Sequence, residues 1–141
     1  MRVAYQGATA EAILPVAAAS PAIFYRLGGP AVVNQDGTVN DDAHPAPRGA
    51  VVIVYGTGQG VVSPALSTRG DRASRSAEPR PQISASVGGQ VARVDFAGMA
   101  PGFIGLLQLN IVVPDGAPEG SAALTFTVNG VSSDPAWIAL Q

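Results

Sequence analysis

The chain is 141 residues long, has no cysteine and carries a formal net charge of −2; this excludes disulfides and thiol chemistry and gives no electrostatic case for nucleic-acid binding. Charged residues make up 13% and apolar residues 47%, with 17 glycines and 12 prolines. A coiled coil is excluded because lysine is absent and Glu is scarce, the apolar share argues against disorder, and no apolar run reaches the ~18 residues a membrane span needs.

The opening residues do not read as a signal peptide. Arg2 and Ala17-Ala18-Ala19-Ser20 stand where a basic region and a cleavage zone would, but Gln6, Thr9 and Glu11 interrupt the apolar stretch between them. Strand, turn, strand is the better reading: residues 3–5 extended, Gly7 turning, and residues 12–16 extended, with Pro15 marking an edge or a strand end. Met1 then reads as an internal start, or as the start of a chain whose leader is missing. Residues 21–25 are a short apolar piece. Residues 31–33 and 38–40 flank Asn34-Gln35-Asp36-Gly37, a hairpin signal because Asp-Gly tolerates positive φ.

Residues 50–55 (AVVIVY) form a continuous apolar run, which predicts a strand buried on both faces. Gly56-Thr57-Gly58-Gln59-Gly60 ends it. Residues 61–82 have no period and read as a long mobile surface loop holding Arg69, Arg72, Arg75 and Arg80. Residues 83–87 and 91–96 both alternate and are predicted to form a hairpin about Gly88-Gly89. In residues 106–113, Leu107, Leu109, Ile111 and Val113 share one face. Residues 122–128 pair with residues 131–140 through Asn129-Gly130, a favoured type I′ turn. Short strands at this spacing, with no sustained helical period, predict an all-β, immunoglobulin-like β-sandwich with Greek-key-type antiparallel strands.

The two chain ends echo one another. Val3-Ala4-Tyr5-Gln6-Gly7 and Phe126-Thr127-Val128-Asn129-Gly130 are each an extended segment, an amide residue and a glycine; acidic Glu11 and Asp134 follow, then apolar segments. The reading is that residues 1–18 are the last hairpin of one Ig-like unit, or a strand-exchange arm, and residues 19–141 are the next complete domain. The alternative is coincidence between two ordinary hairpins. A hairpin parted from its sheet is marginal in water; it folds onto its own domain, frays, or adds to a sheet of another copy. A head-to-tail contact that does not close makes a filament.

Residues 17–141 resemble the C-terminal domain of many secreted acidobacterial proteins, the Solibacter-type C-terminal domain. The matching motifs begin with Ala19-Ser20-Pro21-Ala22-Ile23-Phe24, Asn34-Gln35-Asp36-Gly37-Thr38-Val39-Asn40 and Pro47-Arg48-Gly49. They continue with Tyr55-Gly56-Thr57-Gly58-Gln59-Gly60, Ser63-Pro64, Val87-Gly88-Gly89, Phe96-Ala97-Gly98 and Ala100-Pro101-Gly102. Gln108-Leu109-Asn110, Val113-Pro114 and Val128-Asn129-Gly130 close the series. The resemblance implies an exported β-sandwich module attached after varied extracellular domains, with no catalytic residue to carry over. It implies a secreted, extracellular or cell-surface location.

Constellations that could carry chemistry are sparse. His44, the one histidine, sits between Asp42 and Pro45 without a nucleophile elbow, so no catalytic residue is assigned. Asn34, Asp36, Asn40, Asp41 and Asp42 cluster oxygens and are weak calcium candidates, against a hairpin turn with Asx-type bonds. The glycines of residues 56–60 resemble a phosphate cradle but have no following helix. The arginine tract lacks interleaved aromatics. Trp137 is read as core or interface packing, with sugar binding as the rival. No cofactor is expected.

These readings converge on a non-enzymatic extracellular structural or adhesive module that self-assembles through its N-terminal strand. Val3, Tyr5, Ile13, Leu14, Val16 and Trp137 are the interface residues. The partners are further copies, or neighbouring domains of a larger secreted protein. A polysaccharide-binding module, using Trp137 or residues 61–82, is the alternative.

Overall fold

The computed structural model describes residues 1–63, 78–79 and 82–141. Most of the segment predicted as a loop over residues 61–82, with its four arginines, lies outside the described residues.

Among the described residues every regular element is a strand. The first half holds β1 (Arg2–Tyr5), β2 (Ala8–Glu11), β3 (Ala22–Ile23), β4 (Tyr25–Arg26), β5 (Gly29–Pro30), β6 (Val32–Asn34), β7 (Val51–Thr57) and β8 (Val62–Ser63). The second half holds β9 (Glu78–Pro79), β10 (Ile83–Val87), β11 (Gln90–Ala92), β12 (Val94–Met99), β13 (Leu107–Val112), β14 (Gly120–Val128), β15 (Val131–Ser132) and β16 (Ala136–Leu140). One sheet runs β11-β10-β14, with β15 and then β16 along the far side of β14. The other runs β12-β13-β7, with β3 and β6 along the far side of β7. All these pairings are antiparallel.

The two sheets face each other, and the alternation along their strands fills the space between them. Leu107, Leu109, Ile111 and Val113 are all fully buried, as the shared face predicts. They join Val52 and Val54 of β7 against Val87, Leu124, Phe126 and Ile138 of the opposite sheet. Period 2 is the reason: inward positions meet the other layer while outward ones stay partly wet. The chain is an all-β, antiparallel sandwich.

Three local expectations change. Residues 50–55 suggested burial on both faces, yet β7 alternates buried and half-buried, because only its inward positions meet the opposite sheet. The hairpin over residues 83–96 holds only as far as Ala92; after Arg93 the chain crosses into the other sheet as β12. The last hairpin is interrupted too. Val128 pairs Val131 and Leu124 pairs Ala136, so the strand carries one extra residue across 133–135, a bulge at Pro135. Ser133 mends the gap: its N–H donates to the Phe126 carbonyl (2.9 Å) and its Oγ accepts the Phe126 N–H (3.2 Å).

The glycines of residues 56–60 have a packing role. A Cβ on Gly58 or Gly60 would collide with the backbone of Ser20 or Ala18, and one on Gly56 would come within 2.6 Å of the Ala22 carbonyl. Alternate glycines thus leave a flat bed on which residues 18–22 lie, tied by Ser20 N–H to the Gly58 carbonyl (2.8 Å). Ala19 is the first buried residue of the chain.

Candidate functional site

Three surface features carry the sequence-predicted residues. The first is the N-terminal hairpin. β1 and β2 pair with Arg2 opposite Glu11 and Tyr5 opposite Ala8. Directly opposed residues share a face, so Val3, Tyr5, Ala8 and Ala10 form an apolar side and Arg2, Ala4, Thr9 and Glu11 the other. Arg2 Nε and Glu11 Oε1 lie 3.4 Å apart on that second side. Gln6 and Gly7 turn the chain with φ of 48° and 81°; Asn129 and Gly130 do so with 49° and 81°. The echo between the ends is therefore conformational as well as sequential. The surroundings differ: Phe126 and Val128 are fully buried, whereas Val3 and Tyr5, their counterparts, are exposed.

Every residue from 1 to 18 is exposed. The second strand of this hairpin ends at Glu11 and Ala12 still donates its N–H to the Met1 carbonyl (2.9 Å), so of residues 12–16, expected to be that strand, residues 13–16 lie beyond the pairing. The type I′ turn decides this, since two residues at the turn bring Ala8 to Glu11, rather than later residues, opposite β1. Ile13, Leu14 and Val16 follow as an exposed apolar run.

The second feature is the loop of residues 34–44. Asn34 and Asn40 are brought together and buried, but their amides are committed to the fold. Asn40 Nδ2 donates to Asn34 Oδ1 (3.0 Å) and to the Ala139 carbonyl (2.9 Å), and Asn40 Oδ1 accepts the Ala139 N–H (2.8 Å). Asn34 Nδ2 donates to Thr38 Oγ1 (3.1 Å) and the His44 carbonyl (2.7 Å). One amide thus pairs with the edge of β16 as a strand would, and Ala46 extends that edge in parallel fashion.

Asp36 accepts from the Thr38 hydroxyl (2.6 Å) and N–H (2.9 Å), which hold its carboxyl below the ordinary range, the hydroxyl contributing most. Asp41 is lowered chiefly by the His44 ring, whose Nδ1 lies 3.0 Å from Oδ1. It also accepts the Ala43 and His44 N–H groups (3.0 and 2.9 Å). Both carboxyls are depressed in the folded chain, so what they add to stability is present above their ordinary pKa and lost as the pH falls through the folded value. Of the five weak calcium candidates, Asp36 and Asp41 bond to their own turns, Asn34 and Asn40 are committed to the fold, and no three acidic or histidine side chains converge among the described residues. His44 is exposed, and its ring Nδ1 pairs with Asp41 Oδ1 at 3.0 Å.

The third feature is a cleft of about 340 Å3 at the β16 edge, lined by Tyr25, Trp137, Asp41, Asp42 and Ser121 among others. Trp137, at 59% exposure, is not a core residue: its neighbours Ala136 and Ile138 take the inward positions of β16 and leave it the outward one. Tyr25, which sequence reasoning did not single out, stands on the hairpin of β4 and β5, and its hydroxyl reaches the Pro135 carbonyl at 3.5 Å. Only the pairing that folds residues 25–30 against β16 brings the two aromatics to one place.

Among the described residues no helix is long and apolar enough to cross a membrane. No protein-family model, curated protein or solved structure matches the chain.

Proposed function

We propose that the chain is a non-enzymatic, extracellular structural module that associates with copies of itself through residues 1–18. One observation carries this reading: an amphipathic hairpin whose apolar side, with Val3 and Tyr5, is exposed and takes no part in the core among the described residues. Burying a Val-sized or larger side chain is worth roughly 1.5–3 kcal/mol, and a lone two-stranded hairpin is marginal in water. Docking on a second copy recovers that burial, and the free edges of β1 and β2 add backbone hydrogen bonds. Ile13, Leu14 and Val16 supply further apolar anchors. Donor and acceptor surfaces differ in such a contact, so it propagates into a ring or a filament.

The strand orders β12-β13-β7-β6 and β11-β10-β14-β16 support the immunoglobulin-like assignment, since they match the two-sheet pairing of that class. The motif resemblance supports export.

Multi-angle light scattering of the full chain tests the assembly. The expected result is a mass above 14.2 kDa that rises with concentration and falls to the monomer in Val3→Asp/Tyr5→Ser. A monomer at every concentration, or an assembly indifferent to these substitutions, overturns it.

A further inference from the structure

We propose that the cleft between Tyr25 and Trp137 binds a neutral saccharide chain. Trp137 is 59% and Tyr25 62% exposed, and large aromatics left open to water beside one another are a surface for contact. Both line one cleft of about 340 Å3, at the small end of the ~300–1,000 Å3 usual for small-molecule sites.

The walls match the two kinds of surface a pyranose presents. Its C–H face is electropositive and apolar and stacks on the electron-rich face of an indole or phenol. Its hydroxyl rim donates hydrogen bonds, and the Asp42 carboxylate and the Ser121 hydroxyl stand in the lining to receive them. Asp42 makes no side-chain hydrogen bond with any described residue, unlike Asp41, whose Oδ1 already accepts from His44 and two backbone amides. Two carboxylates in one cleft repel an anionic chain such as a polyuronate, so charge selects a neutral glycan.

The frame is held before any ligand arrives. Trp137 sits on a strand whose edge is fastened two residues away by Asn40 on both backbone groups of Ala139. Tyr25 is placed by its pairing with Pro30 across the β4–β5 hairpin and by its hydroxyl at the Pro135 carbonyl. Side chains fixed in this way lose little freedom on binding. This site lies on different residues from the hairpin contact, so either can fail alone.

Trp137 is the sole tryptophan, so its emission reports on the cleft directly. Cellohexaose, xylohexaose and mannohexaose are titrated into the full chain, with oligogalacturonate as the anionic control. The expected result is a saturable change in emission with at least one neutral hexasaccharide, shielding of Trp137 from acrylamide, and no response to oligogalacturonate. By calorimetry Tyr25→Ala and Asp42→Asn each weaken binding about tenfold and Trp137→Ala abolishes it, while Trp137→Phe, which keeps an aromatic face, retains part. Val3→Asp leaves binding unchanged. No response to any of the three neutral hexasaccharides at 10 mM overturns the proposal. So does equal binding of oligogalacturonate, full binding by a folded Trp137→Ala chain, or emission that follows protein concentration instead of sugar, which would mark the cleft as a protein contact.

Discussion

Asn40 lies 99 positions from Ala139 in sequence and satisfies both of its backbone groups. At that spot the edge of β16 would otherwise present a buried N–H with no acceptor. Replacing a buried partner costs more than the bond is worth, because the group left behind keeps its desolvation penalty, about 1–3 kcal/mol. Asn40→Ala strands the Ala139 N–H and removes the donor to Asn34 Oδ1, so it is expected to lower stability by about 2–4 kcal/mol. Urea unfolding checks this: the midpoint falls while the slope stays, since the surface exposed on unfolding is unchanged. Neither asparagine announces this role in the sequence. Both read as turn and metal-ligand types there, because an amide that mimics a strand has no local signature.

Among elements, the glycine-rich end of β7 shows how a motif can be visible and still misread. The spacing of Gly56, Gly58 and Gly60 resembles a phosphate cradle, yet its work is to let residues 18–22 approach backbone to backbone. Gly58 also has φ of +81°, where an L side chain costs about 1–2 kcal/mol. Gly58→Ala adds a collision with Ser20 to that strain, so a loss of at least about 2 kcal/mol is expected, with loss of hydrogen-exchange protection at the Ser20 amide that bonds Gly58. Gly7→Ala is the control. Its φ is the same +81° but nothing lies within 4 Å of the added carbon, so it carries the strain alone and leaves the sandwich intact. The bulge across residues 133–135 was equally hidden, since Pro135 marks an interruption without saying which way the register moves.

For the whole molecule, the chain divides by burial. From Ala19 onward the strands of the two main sheets supply one core; before it every residue is exposed. Regions with few buried apolar contacts open at low free energy, and core strands open only with the whole domain. Amides of β1 and β2 are therefore expected to exchange at nearly unprotected rates in dilute chain, while those of β7, β13 and β14 exchange only by global unfolding. At concentrations where the chain assembles, protection should appear selectively in residues 2–11. Slow exchange there in a demonstrated monomer would mean the hairpin is held within its own chain.

The alternation of Leu107, Leu109, Ile111 and Val113, the Asn-Gly turn and the spacing of short strands sufficed to specify an all-β sandwich, because period-2 patterning and turn chemistry act between near neighbours. The Gln6-Gly7 turn was legible for the same reason. Other matters were settled by contacts between residues far apart in sequence. These are the crossing of the chain after Arg93, the grip of Asn40 on β16 and the meeting of Tyr25 with Trp137. Each depends on which sheet edge a segment reaches once two layers have packed, and that is fixed by burial and backbone pairing over the whole domain, not by any local stretch of residues.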